Sequence, residues 1–443
     1  MRIQLSDHFT YRRLLRFVAS PVLMMVCTSL YGIVDGFFVS NYVGKAPFAA
    51  VNLIMPVLMG MGTIGFMVGT GGSALVSVKL GEGERELANR YFSMLIYAAG
   101  AVSAVLSALC FFFTPAISRA LGAEGELLGY CVLYGRILFA AEPVFILQNM
   151  FQNFFVTAEK PGLSLKMSVA SGLTNMVLDY LFIAVFGWGI AGAAIATALG
   201  QAVGGIVPVF YFAHKNDSLL RLTKTGLERR VLLLACMNGS SEMVSNLSMS
   251  VINILYNIWL MRLAGEDGVA AYGIIMYVNF VFQAVFIGYT IGGAPVVSYH
   301  YGAGGRAELQ NLFRKSLVLM CAGGIGMTLL AELFNVPLVR IFAGYDPGLF
   351  AMTCHGFRLY ALAFMMMGVN IWGSAFFTAL NNGVVSAAIS FLRTLVFQIA
   401  AVMVLPFIWG MDGIWLAIVA AEVLALLVTV LFFVRERSRY QYW

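Results

Sequence analysis

The chain repeats itself at a fixed spacing. Adding 221 to a position in the first half returns a related residue in the second: Gly71, Gly72, Val76, Ser77, Gly81, Gly83, Arg85 and Phe92 recur as Gly292, Gly293, Val297, Ser298, Gly302, Gly304, Arg306 and Phe313. Those are eight identities within 22 positions. The same offset carries Trp188, Gly189 and Gly192 onto Trp409, Gly410 and Gly413, and Asn149 and Thr157 onto Asn370 and Thr378. One ungapped offset over most of a chain marks an internal duplication, so any fold must contain two similar halves.

Where those halves live follows from polarity. With 60% hydrophobic and 11% charged residues, the chain is far more apolar than a soluble protein of 443 residues. A membrane helix needs roughly 20 apolar residues. Twelve such stretches occur, at about 15–39, 49–75, 91–114, 132–156, 164–186, 188–212, 232–260, 270–295, 314–333, 355–379, 384–408 and 413–434. Six per half is an even number, so both halves enter the bilayer in the same direction and are related by an axis along the membrane normal. The expected fold is therefore an all-α integral membrane protein: residues 1–213 form one six-helix bundle, 214–230 a basic linker and 231–443 the second bundle. Two similar halves that can rock about a site between them are a transporter's architecture.

Charge sets the orientation. With the N-terminus inside, the inner segments carry twenty Lys and Arg residues, among them Arg2, Arg12, Arg13, Lys160, Arg229, Arg306 and Arg439, and the outer loops only Lys45, Arg119, Arg262 and Arg340. The positive-inside rule then places both termini in the cytoplasm, and a bacterial inner (cell) membrane is the expected location. The net charge of +6 reflects that topology, and no nucleic-acid partner is implied. The linker His214 to Arg230 is expected to be solvated near the headgroups.

Several chemistries are excluded. The six cysteines have no C-x-x-C spacing and the four histidines are scattered, so neither a metal site nor a disulfide framework is expected. The first apolar run lacks a small-residue cleavage site and reads as a membrane helix, not a cleaved signal. The run Gly69-Thr70-Gly71-Gly72-Ser73 lacks the strand and the Lys-Ser/Thr ending of a phosphate loop. Gly200 and Gly204 form a small-xxx-small face for close helix packing, and Pro21, Pro56, Pro143 and Pro295 fall inside spans, where they free carbonyls and kink helices.

Buried acids carry the functional information. A carboxylate near the bilayer centre is disfavoured by roughly 2.5–3.5 kcal/mol on insertion scales, so one that persists faces a cavity or a partner. Asp35, Asp179 and Glu242 lie well inside predicted spans. Asp35 and Asp179 fall at similar depth and could meet. Tyr31 is four residues before Asp35, and Asn175 four before Asp179, placing each pair on one helical face. Thr197 lies at that depth on the sixth helix, and Asn149 and Asn153, again four apart, line the fourth. Such oxygens suit either a proton shared by two carboxylates or a hard cation such as Na⁺ held by Asp35, Asp179, Asn175 and Thr197. The residues leave both open.

The segments Tyr31-Gly-Ile-Val-Asp35, Asn175-Met-Val-Leu-Asp179 and Gly189-Ile-Ala-Gly-Ala-Ala-Ile-Ala-Thr197 resemble the first, fifth and sixth helices of the multidrug and toxic compound extrusion (MATE) family. The resemblance spans essentially the whole chain and is nearest to bacterial MepA-like members. It implies an antiporter that exports lipophilic, often cationic compounds by alternating access, driven by H⁺ or Na⁺. It also implies that Asp35 and Asp179 bind the coupling cation, with Tyr31, Asn149, Asn175 and Thr197 in support. No cofactor beyond that ion is implied. The partners expected are small lipophilic or cationic molecules, the ion and membrane lipids, and the protein is expected to work as a monomer.

The chain departs from some branches of that family. Its tenth helix reads Met365-Met-Met-Gly-Val-Asn370-Ile-Trp-Gly-Ser374, without a carboxylate, and only Glu242 matches an acid of the second half. At the 221 offset Asp35 becomes Tyr256 and Asp179 becomes Ala400. Ion coupling is therefore assigned to the first half, with Glu242 a cation-attracting or gating group. The expected substrate cavity includes Asn153, Glu242, Asn370, Trp372 and Met366, since thioethers and aromatic faces adapt to varied cations. Arg393 could neutralise a nearby carboxyl group or snorkel to the inner face. The rival reading is a flippase for a lipid-linked or polar substrate, whose cavity would be rich in Arg and Lys. An intramembrane enzyme is disfavoured, since the chain has no mid-span His, no Gly-x-Ser-x-Gly elbow and no His-Glu-x-x-His motif.

Overall fold

The computed structural model describes residues 3–344 and 346–443, without the side chains of residues 33, 36–41 and 45. Arg2 and the Lys45 side chain, used above to orient the chain, lie outside what is described.

Every element among the described residues is helical. The first half runs α1 (Tyr11–Tyr42), α2 (Lys45–Gly81), α3 (Arg85–Ala120), α4 (Gly125–Thr157), α5 (Pro161–Val185) and α6 (Gly189–Ala213). A continuous helical stretch, Arg229–Gly302, then runs for 74 residues. At about 1.5 Å per residue it is several times too long for a bilayer core of about 30 Å. It is broken at Gly265, whose φ of 62° and ψ of −147° are open to glycine but not to a helix. The Tyr256 and Tyr272 rings stack at 4.7 Å across that break and Tyr272 Oη donates to Asn253 Oδ1 at 2.8 Å, so the two limbs fold back on each other as α7 (229–264) and α8 (266–302). The remaining spans are α9 (Arg306–Ala343), α10 (Pro347–Ala361 with Phe364–Ala379, bent by 48°), α11 (Gly383–Trp409) and α12 (Met411–Tyr440). The fold is thus the expected twelve-helix membrane architecture.

The chemistry of the turns explains where helices stop. Gly83 (φ 81°) and Gly304 (φ 69°) form the α2–α3 and α8–α9 turns, while Gly189 and Gly410, both at φ 57°, start α6 and end α11. Each pair is separated by 221 residues, so the sequence repeat is also a repeat of backbone geometry. Pro161 and Pro347 open α5 and α10, where a missing N–H is harmless. Asp346 caps α10 by accepting from the Gly348 and Leu349 amides at 2.8 and 3.1 Å.

The pseudo-two-fold axis is visible in the contacts between halves. A Cβ placed on Gly71 of α2 would lie 2.5 Å from Gly239 N on α7, and one on Gly292 of α8 would lie 3.0 Å from Val18 Cα on α1. Subtracting 221 from 239 gives 18, so these two contacts are one contact repeated. Likewise a Cβ on Gly81 would meet Tyr299 O at 2.0 Å, and one on Gly302 would meet Val78 O at 2.2 Å. Backbones this close admit only glycine, and dispersion packing between small residues holds membrane helices together.

The end of the bundle that carries both termini is tied further. Leu5 and Phe9 are fully buried. Leu5 N donates to Glu159 Oε1 at 2.7 Å in the first half, while Phe9 N donates to Glu308 Oε1 at 2.9 Å in the second. The linker differs from expectation. Arg85 donates to the carbonyls of Ser218 and Leu219, Asn89 Oδ1 accepts from Arg221 N at 2.8 Å, and Leu220 is fully buried. The segment lies pinned along α3, because its carbonyls and amides find partners there; it is not simply solvated.

Gly71 and Gly100 provide a matched pair for testing this packing. A Cβ on Gly71 meets the Ala235 carbonyl at 2.0 Å, whereas one on Gly100 meets nothing within 4 Å. Gly71→Ala is expected to destabilise the purified protein by about 1–3 kcal/mol, as overpacking does. Gly100→Ala should be neutral or stabilising by up to about 1 kcal/mol. Thermal unfolding in detergent, read side by side, checks both.

Candidate functional site

The first half encloses a cavity of about 310 Å³ walled by α1, α2, α4, α5 and α6. Glycine lets these helices approach. A Cβ on Gly200 of α6 would lie 2.9 Å from Asn175 Cβ, and one on Gly65 of α2 would lie 2.6 Å from the Ile146 carbonyl of α4. Gly204 of α6 likewise abuts Gln148 of α4, as its four-residue spacing from Gly200 predicts.

Five of the six residues expected to couple an ion line this cavity: Tyr31, Asp35, Asn149, Asn175 and Thr197. The sixth, Asp179, is fully buried behind the wall. Its carboxyl group lies against that of Asp35, with the Asn175 amide alongside both. Asn175 Nδ2 also donates to Thr197 Oγ1 at 3.4 Å. Immediately after Asp179, α5 widens into a π turn over Tyr180–Val185, a local irregularity common at functional sites.

The electrostatics of the pair are unusual. Among the described residues, no donor hydrogen-bonds Asp35 Oδ1 or either oxygen of Asp179, and no Lys or Arg lines the cavity. Two carboxylates can only accept hydrogen bonds, so facing each other in an apolar surround they require a proton on one of them or a cation between them. Asn149 Nδ2 is a further buried polar atom without a partner.

Some participants were not singled out in the sequence. Tyr134 is buried and lies close enough to feel both aspartates. Glu142 lines the cavity with Gln148 and Gln152. Tyr134, Leu138, Glu142, Phe145 and Asn149 follow three- to four-residue steps along α4, and that stripe was the available signal. The cavity's apolar lining includes Met25, Met55, Met59, Phe66 and Phe145, so thioethers and aromatic rings are present, although in the first half and not around Met366.

The other expected cavity residues are placed elsewhere. Asn153 turns from the cavity, donating to the Asn149 carbonyl at 3.3 Å and packing beside Gly69. Trp372 is fully buried against Tyr289 and Gly293. Asn370 Nδ2 donates to Glu422 Oε2 at 2.7 Å. Met366 is half-buried on α10, and Glu242 on α7 sits within the field of Arg393. Arg393 itself, of the two roles open to it, neutralises a carboxyl group, pairing with Glu422 at 2.8 Å. Among the described residues no cluster of three or more His, Cys, Asp or Glu could hold a metal ion.

Comparison with known proteins agrees with this architecture. A protein named multidrug export protein MepA from Staphylococcus saprophyticus is 22% identical over 432 residues, covering 97% of this chain and 94% of its own length. A MepA protein from Staphylococcus aureus is also 22% identical, over 435 residues, covering 97% of this chain and 94% of its own length. Among solved structures, a MATE protein in complex with MaL6 superposes with a TM-score of 0.92 at 22% identity, covering 98% of each chain. A MOP-superfamily transporter from Pyrococcus furiosus, described as having a binding pocket of reverse polarity, gives 0.89 at 21% identity, covering 98% of this chain and 97% of its own. These structures share the fold. The MatE family model matches twice, over residues 21–181 and 243–404, once in each half, and the chain therefore belongs to the MatE family.

Proposed function

We propose that the protein is an antiporter that exports lipophilic, often cationic compounds by alternating access, driven by inward movement of H⁺ or Na⁺. The observation that carries this reading is the facing pair Asp35 and Asp179 at the wall of a mixed apolar and acidic cavity, with no basic side chain lining it. A buried carboxyl pair favours the uptake of one positive charge, and Asn175, Thr197, Tyr31 and Asn149 offer further oxygens or an amide to the same point. The names of the MepA relatives agree with export of several drugs. In this reading the halves are residues 1–213 and 231–443, joined by 214–230, and the monomer sits in a bacterial inner membrane with both termini cytoplasmic.

The polarity of the cavity favours drug export over a flippase. Its ionisable lining consists of Asp35, Glu142 and Tyr31, with no Arg or Lys, so it repels a pyrophosphate and suits a cation. The apolar remainder, with its methionines, adapts to ligands of different shape. Glu242, outside this cavity, is assigned an indirect role in the second half through Arg393.

Two measurements test the reading. In proteoliposomes loaded with a fluorescent lipophilic cation, export under an imposed pH or Na⁺ gradient is expected for the wild type, and both Asp35→Asn and Asp179→Asn should fall to the level of protein-free vesicles. Gradient-driven export by correctly folded Asp35→Asn would overturn the assignment. Glu142→Gln is expected to weaken a monocationic substrate by about tenfold, or ~1.4 kcal/mol, while leaving a neutral substrate of similar size within about twofold, a much smaller free-energy change. Equal losses for the two substrates would give Glu142 a structural role only.

A further inference from the structure

The second half has its own small cavity, of about 60 Å³, at the place that corresponds by the repeat to the cavity of the first. Subtracting 221 from its lining residues Asn253, Tyr256, Ile418 and Glu422 gives Gly32, Asp35, Thr197 and Gln201, all of which line the cavity of the first half. The two are copies of one site, and their charges differ in kind. Where the first half has the facing pair Asp35 and Asp179, with Glu142 nearby and no Lys or Arg in the lining, the second has a carboxyl group already holding a cation.

That internal cation is Arg393. Its Nε donates to Glu422 Oε1 and Oε2 at 2.8 and 3.1 Å, and its Nη2 reaches Oε1 at 2.8 Å. Both groups are buried, Glu422 completely. Asn370 Nδ2 adds a bond to Oε2 at 2.7 Å, so the carboxylate is bound from two sides. Arg393 stands on a π turn, Leu392–Val396, that rotates it inward from α11, and at its repeat position the first half has Gly172. The charged and titratable groups around it are Glu422 on α12, Glu242 on α7 and Tyr360 on α10, with Tyr256 and Tyr272 completing the lining. Asn279 Oδ1, buried in the same lining, has no hydrogen-bond partner among the described residues.

We propose that Arg393 is a tethered cation that permanently occupies the second half's copy of the ion site, so that this half moves through the transport cycle without taking up an ion of its own. A guanidinium fixed to the scaffold neutralises Glu422 in both conformations, whereas a mobile H⁺ or Na⁺ must be supplied and released. The inference rests on the reading of Asp35 and Asp179 as the coupling pair. It extends that reading by saying why a duplicated transporter couples through one half only. It also specifies what the second site would accept if vacated: a single proton or Na⁺, held by Glu422 with amide oxygens such as that of Asn279 beside it.

The number of ions exchanged per substrate tests the proposal. In voltage-clamped proteoliposomes at steady state, the slope of log substrate accumulation against log ion gradient gives that number. Arg393→Met uncovers Glu422 and is expected to raise the slope by one, while the double variant R393M/E422Q should return it to the wild-type value whatever its rate. A wild-type slope in folded Arg393→Met overturns the proposal and leaves the pair a packing device. If Arg393→Met is not recovered folded, the double variant and Arg393→Lys decide. Both are expected to transport with the wild-type slope, and loss of gradient-driven transport in a folded double variant would likewise overturn the tethered-cation role. Asp35→Asn in the wild-type background tests the first half separately: should it still export under a gradient, the coupling-pair reading fails, while the slope difference between Arg393→Met and wild type remains a readable result.

Discussion

Asp35, at the cavity wall, and Asp179, buried behind it, face each other, and the function proposed for the chain depends on that contact. Two like charges about 4 Å apart at an effective dielectric of about 20 repel by roughly 4 kcal/mol, a penalty that one proton or one cation removes. The pair is held in place by packing, since Asp179 is fully buried and its neighbours are crowded. Gly200 admits Asn175, and Gly172 admits the Tyr31 ring, whose Cδ1 would lie 3.0 Å from a Cβ at that position. A larger residue at either glycine would displace a group that touches or neighbours the carboxyls. The site is therefore defined by the small residues around it as much as by its acids.

Duplication explains how one half came to carry this contact and the other to lack it. The frame is common to both: Gly83 and Gly304 turn the same corner, and the Gly71–Gly239 and Gly292–Val18 contacts are related by the offset. Frame positions tolerate little change, because backbones there are within van der Waals distance. Interior polar positions are freer. Asp35 corresponds to Tyr256, Gly172 to Arg393 and Gln201 to Glu422, so the first half holds a carboxyl pair where the second holds an ion pair. Burying an ion pair is close to break-even against an apolar pair, but removing one partner alone is strongly unfavourable, by about 3–5 kcal/mol. Arg393 and Glu422 are thus bound to be kept or lost together.

Topology was legible in the sequence because it depends on quantities that sum along the chain. Hydropathy located every span, and the repeat is echoed in paired glycine turns, although the α7–α8 hairpin hides within one helical run until Gly265 breaks it. Tyr31 with Asp35, and Asn175 with Asp179, were legible because a four-residue step fixes two side chains on one face. Partners across helices were not. Arg393 and Glu422 are 29 residues apart on different spans, and their meeting depends on how each helix is rotated about its own axis, which a π turn in α11 alters. Asn153 failed for a related reason: it shares a face with Asn149, but one turn further along α4 that face meets α2 at Gly69 and not the cavity. The linker looked solvated because its composition is polar, yet its backbone finds partners on α3 that composition cannot reveal.

Helix α1 connects these observations mechanically. It carries Asp35 and Tyr31 on the cavity side, while its other turns pack on the second half, where a Cβ on Gly288 would lie 2.4 Å from Val22 Cα and one on Gly292 would meet Val18. Pro21 lies among those contacts, between Val18 and Val22, at a position where the helix lacks one backbone hydrogen bond and can bend at little expense. In the proposed cycle, a charge arriving at Asp35 changes the balance between repulsion from Asp179 and packing against Gly172. The helix that feels this change also touches the other half. With Glu422 already neutralised by Arg393, the second half takes up no charge of its own in that cycle, so the state of one carboxyl pair is enough to bias how the halves meet.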